Sequence, residues 1–364
     1  MEERVYNFSA GPAVMPLPVL EKAQKDLLCL PGAGASIMEI SHRSKTFDAI
    51  INGAKENIRK LYNLPENYRV FFMQGGALTQ FALAPINLAQ GKTPDYIVTG
   101  TWSKKASGEA KTQGPVNIVW DGKAADGAFR RKPTADEYKL NPEAPYCYIT
   151  GNETIEGIEW QSEPDTGNVP LVCDSSSNIF SKPLDINKYG LLYACAQKNA
   201  GPAGVTVLIL REDLLERSAD NLPSLFSYKK VEAGNSMVNT PPTFAIYMLG
   251  LVTDWLLNEI GGLDKMQAIN QKKAKMLYDV IDASNGYYKG HAEKAYRSMM
   301  NVPFRLPTEE LDNKFKADAA AVGLASLGGH RSVGGLRASI YNAMPVAGVE
   351  KLVSFMEDFQ KKNS

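Results

Sequence analysis

Residues 170–204 read PLVCDSSSNIFSKPLDINKYGLLYACAQKNAGPAG and contain two short apolar runs that each end in a charged residue. PLVCD ends at Asp174, and LLYACAQK ends at Lys198. Near-continuous apolar runs of this length are typical of strands buried on both faces of a mainly parallel sheet. Because the carboxyl ends of such strands face the ligand-binding crevice, Asp174 and Lys198 are candidate functional residues.

Strands and helices alternate around these two runs. Amphipathic patterns predict helices at 18–30 and from about Thr46 to Leu61. Further apolar runs predict strands at 69–73 (RVFFM), 95–100 (DYIVTG), 117–122 (NIVWDG), 146–152 (YCYITGN) and 204–211 (GVTVLILR). This alternation predicts an α/β fold.

The pattern changes from about Thr243, where a long helical stretch begins that is interrupted near Gly261–Gly262. Strand signals (NVPFRL, GLRASIY) and helical patterns at 311–327 and 348–362 follow it. We therefore predict a large domain, a small C-terminal α/β domain and an extended N-terminal arm that packs on the small domain. Their predicted ranges are 17–260, 261–364 and 1–16.

The composition of the 364-residue chain excludes some classes of function. Its 40 Lys and Arg residues balance 40 Asp and Glu residues, which argues against a broad nucleic-acid-binding face. The sequence shows neither an apolar run of about 18 residues nor a signal-peptide pattern, so we expect a cytoplasmic protein without membrane contact. The four cysteines are scattered, and we expect buried, reduced thiols rather than a metal site or disulfides: Cys29, Cys147, Cys173 and Cys195.

Asp174 and Lys198 together meet the chemical needs of pyridoxal phosphate (PLP). PLP binds to a lysine as a Schiff base, and an acid pairs with its pyridinium nitrogen. The lysine amine is then placed to move a proton during the reaction. Taken separately, a strand-end Asp is often a cap and a strand-end Lys is often solvated, so each residue alone leaves both interpretations open.

Two further signals could complete such a site. FFMQGGALTQF predicts a strand, the pair Gly75–Gly76 and the start of a helix, where backbone N–H groups can bind a phosphate. Trp102 follows a predicted strand in VTGTWSKKA and could stack on a flat heteroaromatic ring. The alternatives are a simple turn and a half-buried Trp that only packs.

Three basic clusters could bind anions. They are His42–Arg43 in MEISHRSK, His330–Arg331 in LGGHRSVGG, and Arg337 in GGLRASIYN. Arg binds carboxylate and phosphate groups through paired hydrogen bonds, so these clusters would suit a substrate with two anionic groups. Otherwise they are solvated loop residues.

With these motifs in place, the chain resembles the phosphoserine aminotransferases, a family of fold-type I PLP enzymes among the class V aminotransferases. The resemblance runs essentially end to end. Its most specific segments are AQKNAGPAG at 196–204, NTPPTF at 239–244 and GHRSVGGLRASIYNAMP at 329–345; NFSAGPA at 7–13, QGGALTQF at 74–81 and GNETIEG at 151–157 add to it.

The resemblance implies a large domain with a mainly parallel seven-stranded sheet and a small α/β domain. It also implies reversible transfer of the amino group from L-glutamate to 3-phosphohydroxypyruvate, which gives O-phospho-L-serine and 2-oxoglutarate in serine biosynthesis. Some relatives also use 4-phosphohydroxy-L-threonine in PLP biosynthesis, and the sequence does not decide this activity.

The resemblance further implies which residues bind the cofactor. Lys198 would bind PLP covalently, Asp174 would pair with the ring nitrogen, and Trp102 would stack on the ring. Other contacts would come from the backbone of Gly76 and Ala77 to the phosphate, Thr154 near the ring hydroxyl, Gln197 near the phosphate, and Asn239 and Thr240 at the cofactor phosphate of the neighbouring subunit. The last contact implies a homodimer with shared active sites.

For the substrate, the resemblance implies that Arg337 holds the α-carboxylate. The distal phosphate or carboxylate would be held by His42 and Arg43 together with His330 and Arg331 of the other subunit. Some relatives carry an Arg directly after the Gly-Gly pair, whereas this chain has Ala77 and Leu78. The phosphate site must therefore depend on backbone N–H groups.

Two other classes of function compete with this interpretation. The first is another PLP enzyme of the same fold: a cysteine desulfurase needs a reactive cysteine on an exposed loop, and none of the four cysteines is expected there. A serine–glyoxylate-type transaminase would not need two His-Arg pairs. A non-catalytic α/β binding protein would have no need for both Asp174 and Lys198.

Overall fold

The computed structural model describes residues 4–364, so that the first three residues of the predicted arm lie outside the described part. The α-helices are α1 (Leu17–Asp26), α2 (Lys45–Tyr62), α3 (Gly76–Leu88), α4 (Thr101–Lys111), α5 (Glu212–Glu216), α6 (Tyr228–Ala233), α7 (Thr243–Trp255), α8 (Leu263–Ala283), α9 (Glu309–Ala321) and α10 (Val346–Asn363). The strands are β1 (Tyr6–Asn7), β2 (Tyr68–Met73), β3 (Asp95–Val98), β4 (Asn117–Asp121), β5 (Cys147–Thr150), β6 (Asn152–Glu153), β7 (Ile158–Glu159), β8 (Leu171–Asp174), β9 (Tyr189–Cys195), β10 (Thr206–Arg211), β11 (Lys289–Gly290), β12 (Asn301–Arg305), β13 (Leu324–Ala325) and β14 (Leu336–Ser339).

A seven-stranded sheet with the order β2-β10-β9-β8-β5-β3-β4 forms the centre of the fold. Strand β10 runs antiparallel to both of its neighbours, and the other pairs are parallel. The predicted α/β class with a mainly parallel seven-stranded sheet is therefore confirmed. Asp174 pairs with Tyr193 in the register of β8 and β9, so both strands end at the same edge of the sheet.

Helices cover both faces of this sheet, which explains the near-continuous apolar strands. Leu171 and Cys173 pack into the core beneath α1, α2 and α7, whereas Val172 packs into the core beneath α3, α4 and α6. Successive residues of a strand point to opposite faces, so a strand covered on both faces needs apolar residues at every position.

A second α/β unit lies in the C-terminal part of the chain. The three-stranded sheet β11-β12-β14 packs with α8, α9 and α10 around its own core. Helix α7 continues into a π-helical turn at Leu256–Ile260 and ends at Gly261, whose φ is +84°, near the predicted interruption. The proposed domain boundary at residue 260 stays a prediction.

The described part of the N-terminal arm packs on this C-terminal unit. Strand β1 pairs in parallel with β13, with Tyr6 opposite Leu324 and Asn7 opposite Ala325. Within residues 4–364, no helix combines the length and the apolar composition needed to span a bilayer.

Three local predictions were wrong. The first predicted helix ends at Asp26 instead of 30, because residues 31–35 turn back and the backbone N–H of Leu30 bonds to the Ala35 carbonyl. Helix α9 ends at Ala321 instead of 327, because Gly323 adopts a φ of +81° and β13 follows. Cys29 is exposed in the turn after α1, while the other three cysteines are buried as expected.

Candidate active site

Lys198 lies at the carboxyl edge of the central sheet, three residues after the end of β9. Its Nζ donates a hydrogen bond of 2.7 Å to Oγ1 of the buried Thr154, which lies in the turn between β6 and β7. The same Nζ lies 5.3 Å from the centroid of the Trp102 ring. The fold therefore brings together three residues that lie 44 or more positions apart in the sequence.

Asp174 is the buried acid beside this lysine. Its Oδ1 accepts hydrogen bonds from the backbone N–H of Ser176 at 2.8 Å and from its hydroxyl at 2.5 Å. Burial raises the pKa of Asp174, while the bonds from Ser176 and the charge of Lys198 act in the opposite direction. Among the described residues both of these bonds use Oδ1, so Oδ2 can accept a hydrogen bond from a ligand.

The Gly75–Gly76 turn leads from β2 into α3 at the same edge. Gly75 and Gly76 have φ values of +90° and +66°, a region that favours glycine. Among the described residues, no side chain caps the start of α3, so its first N–H groups can bind an anion. A Cβ added to Gly76 would lie 3.7 Å from the Cβ of Cys195, so this turn lies beside the end of β9.

Arg337 approaches the site from β14 of the C-terminal unit. Its Nη1 donates to the Thr154 carbonyl at 3.3 Å, and its Nε is buried without a hydrogen-bond partner in residues 4–364. Burial lowers the pKa of the Arg337 guanidinium, which still carries its charge near neutral pH. A partly desolvated cation with an unused N–H group is suited to bind a carboxylate.

The other predicted substrate residues are less closely tied to Lys198. His42 and Arg43 lie in the turn before α2, and His330 and Arg331 lie in the loop before β14. Burial and the charges of Arg337 and Arg331 lower the pKa of His330. Within residues 4–364, none of these four residues forms a hydrogen bond with Lys198.

The remaining predicted cofactor residues lie at the rim of the site. The Gln197 carbonyl accepts a hydrogen bond of 2.9 Å from the backbone N–H of Ala13 in the arm. Asn239 and Thr240 are exposed, and the Thr240 carbonyl accepts a bond of 3.4 Å from the side chain of Gln74, next to the Gly-Gly turn. Among the predicted site residues, contacts join Lys198, Thr154, Trp102 and Arg337, and the cofactor and substrate roles of the whole set stay predictions.

Two features of the site were missed at the sequence level. Gly11 of the arm packs against Lys198, since an added Cβ would lie 3.1 Å from the lysine Cγ. Glu153 and Glu156 are buried beside Trp102 and bond to the start of α4. The motif GNETIEG contains both carboxylates, and the available signal was two acidic residues separated by only Thr154 and Ile155 and followed by Gly157.

The residues at this edge fit PLP. They supply an amine, a buried carboxylate, an aromatic ring face and free N–H groups at a helix start, which are the donors and acceptors that this cofactor requires. Trp102 Nε1 and Arg337 Nε are buried without partners in the described part of the chain, as expected for groups that meet a polar ligand. Over residues 4–364, His, Cys, Asp and Glu side chains form no group of three or more that could hold a metal ion.

Fold and site together define a fold-type I PLP-dependent transferase. Residues 5–352 match the family described as aminotransferase class-V, and the chain belongs to this family. It is 53% identical over 365 residues to the phosphoserine aminotransferase of Rhodopirellula baltica, which covers 100% of this chain and 96% of that relative.

Solved structures agree with this assignment. The phosphoserine aminotransferase from Bacillus circulans subsp. alkalophilus has a TM-score of 0.96 and 47% identity, with 100% of both chains covered. A PLP-bound phosphoserine aminotransferase from Trichomonas vaginalis has a TM-score of 0.91 and 41% identity, covering 97% of this chain and 100% of that one. The predicted family resemblance is confirmed.

Proposed function

We propose that this chain is a PLP-dependent phosphoserine aminotransferase of serine biosynthesis. It transfers the amino group of L-glutamate to 3-phosphohydroxypyruvate and releases O-phospho-L-serine and 2-oxoglutarate. The observation that carries this proposal is the position of Lys198 Nζ, 2.7 Å from Thr154 Oγ1 and 5.3 Å from the Trp102 ring, near the buried Asp174. The full-length similarity to phosphoserine aminotransferases supports the substrates.

The side chains divide the work around the cofactor. Bound PLP supplies a protonated ring that accepts electrons when a substrate bond at Cα breaks. Asp174 would hold the ring nitrogen protonated, and Trp102 would offer its ring face for stacking. Lys198 would hold the cofactor covalently, and its free amine would move the proton at the substrate Cα.

The phosphate of the cofactor is bound mainly by backbone groups. The N–H groups of Gly76 and Ala77 at the start of α3 would bind it, and the Gln197 side chain would add a contact. Because neither Ala77 nor Leu78 is charged, the positive end of the α3 dipole contributes the local field.

Substrate recognition follows from the two anionic groups that both amino donors carry. Arg337 binds the α-carboxylate, which takes up its free Nε–H. The distal carboxylate or phosphate is bound by His42 and Arg43 with His330 and Arg331 of the second subunit. Several donors are useful there because a phosphate carries close to two negative charges at neutral pH.

We further propose a homodimer with shared active sites. Asn239 lines a cavity of about 220 Å³ together with Gly75 and the exposed Val238, Leu225 and Phe226, and the exposed Thr240 follows it in the chain. An exposed apolar patch beside a ligand site is typical of a subunit interface. From this interface Asn239 and Thr240 reach the cofactor phosphate of the second subunit. The cytoplasmic location and the use of 4-phosphohydroxy-L-threonine stay predictions.

Two experiments test the proposal. The purified protein should be yellow. Borohydride should reduce the Schiff base and attach the cofactor permanently to Lys198, and mass spectrometry of the peptide that contains Lys198 should detect the added mass. A colourless protein that PLP cannot reconstitute would contradict the enzyme assignment.

The second experiment follows half-reactions by visible absorbance. O-phospho-L-serine and L-glutamate should both convert the lysine-bound cofactor to its amino form. Sulfide release from L-cysteine would instead indicate a desulfurase, an alternative that needs a test because Cys29 is exposed.

A further inference from the structure

The first turn of α4, which carries Trp102, is held by two buried carboxylates. Glu153 Oε2 accepts a hydrogen bond of 2.9 Å from the backbone N–H of Trp102, and Oε1 accepts one of 3.0 Å from that of Ser103. Glu156 Oε1 accepts a bond of 3.0 Å from the backbone N–H of Thr101. The first N–H groups of a helix lack partners inside the helix, so these acceptors fix where α4 begins and how it is oriented.

The Glu153 carboxyl group is closely packed. Glu153 is 0% exposed, and a Cβ added to Gly100 would lie 2.5 Å from the Glu153 Cδ. The Ser103 hydroxyl donates to Glu153 Oε1 at 2.5 Å and accepts the backbone N–H groups of Thr99 and Gly100. The glycine and the serine therefore enclose the carboxylate from two sides.

The Trp102 ring itself has no polar anchor within residues 4–364. Its Nε1 is buried without a hydrogen-bond partner, and the closest cation over the ring is Lys198 Nζ at 5.3 Å from the centroid. The ring position therefore depends on its apolar packing and on the backbone of α4, which Glu153 holds.

Glu153 also adjoins the residue that orients Lys198. The next residue, Thr154, accepts the Lys198 amine through its hydroxyl and the Arg337 guanidinium through its carbonyl. One short turn thus contacts the ring-stacking residue, the lysine and the proposed carboxylate-binding arginine.

We propose that Glu153 is a positioning residue, whose buried carboxylate sets the Trp102 ring at the distance from Lys198 that the cofactor ring requires. This inference rests on the proposed function, since it concerns PLP binding. Glu153 touches neither substrate nor cofactor and acts through the backbone N–H groups of Trp102 and Ser103.

The test uses Glu153→Gln, which keeps the side-chain shape but places an NH₂ group against an N–H donor. We expect the PLP dissociation constant to rise by about tenfold, since a buried backbone N–H group at the start of α4 loses its acceptor. The visible circular dichroism of bound PLP, which reports the asymmetric surroundings of its ring, should change as well. Gly100→Ala should produce the same signature, because its methyl group displaces the Glu153 side chain without changing its chemistry.

Glu159→Gln is the matched control. Glu159 is also 0% exposed and accepts the backbone N–H of Met299 at 2.8 Å, but it has no recorded contact with α4. This variant should lower the melting temperature of the apo protein without altering PLP affinity or the circular dichroism.

A double-mutant cycle with Trp102→Leu decides whether Glu153 acts through the ring. If Glu153→Gln raises the dissociation constant in the wild type but not in the Trp102→Leu background, the proposal holds. If the two effects add, or if Glu153→Gln behaves like Glu159→Gln, the proposal is overturned while the proposed function stands. A wild type that binds no PLP overturns both. Should Glu153→Gln fail to fold, Gly100→Ala is measured in the same cycle.

Discussion

Lys198 Nζ and Thr154 Oγ1 lie 2.7 Å apart, so the buried hydroxyl of Thr154 orients the lysine amine at the centre of the site. Thr154 comes from the turn between β6 and β7, whereas Lys198 follows β9. The hydroxyl accepts this hydrogen bond, so it fixes the direction of one N–H of the Lys198 amine. The β6–β7 hairpin therefore supplies a residue to the site at the edge of the seven-stranded sheet.

Thr154→Val tests this relationship, because valine keeps the shape and removes the acceptor. We expect kcat to fall by up to about tenfold, as a hydrogen bond of this kind is worth about 0.5–1.5 kcal/mol. Steady-state kinetics at saturating PLP measure the effect. Thr206→Val is the control, since the Thr206 hydroxyl is buried in residues 4–364 without a partner and its loss should leave kcat within about twofold. Equal effects of both variants would contradict the role of Thr154.

Asp174→Asn should impair chemistry far more than folding. The amide can still accept the bonds from Ser176, but it cannot keep the cofactor ring nitrogen protonated. We expect kcat to fall by about 100-fold or more, a loss typical of a missing acid–base group. Asp95→Asn provides the comparison, because Asp95 is equally buried and bonds to Asn117 and Asn141 far from the site. That variant should lose stability and keep its kcat.

The Glu153 carboxyl should make stability fall with increasing pH. Burial, followed by the charge of Glu156, raises the pKa of Glu153 from 4.5 to about 8. The folded protein therefore retains a proton between pH 4.5 and 8 that the unfolded chain releases, and this contribution is lost as the pH rises through the folded pKa. In Glu153→Gln the contribution is absent.

Melting temperatures of the apo proteins at several pH values measure this difference. The melting temperature of Glu153→Gln relative to wild type should increase from pH 5 to pH 9, by about 2 °C for each kcal/mol in a chain of this size. Both proteins share every other titrating group, so the difference isolates Glu153 and its coupling to Glu156. A constant difference across this range would contradict the raised pKa.

Sequence patterns predicted the sheet and its functional edge because these depend on local regularities. Apolar runs mark the strands, and the charged residues that end them, Asp174 and Lys198, stand out against that pattern. The contact between Glu153 and Trp102 could not be predicted in this way, since it joins residues 51 positions apart through a turn. The exposure of Cys29 could not be predicted either, because it depends on how the chain turns after α1.

The arm residue Gly11 should limit where the Lys198 side chain can move. Its φ is +141°, and an added Cβ would lie 3.1 Å from the Lys198 Cγ. Gly11→Ala should therefore strain the arm and press on the lysine, and we expect slower attachment of PLP and a fall in kcat of about tenfold, equivalent to about 1.4 kcal/mol. Gly53→Ala is the matched control, because an added Cβ at Gly53, inside α2, meets no atom within 4 Å. It should raise stability by about 0.5–1 kcal/mol without changing kcat. If the Gly11→Ala variant binds PLP and turns over at the wild-type rate, the arm does not restrict the Lys198 side chain.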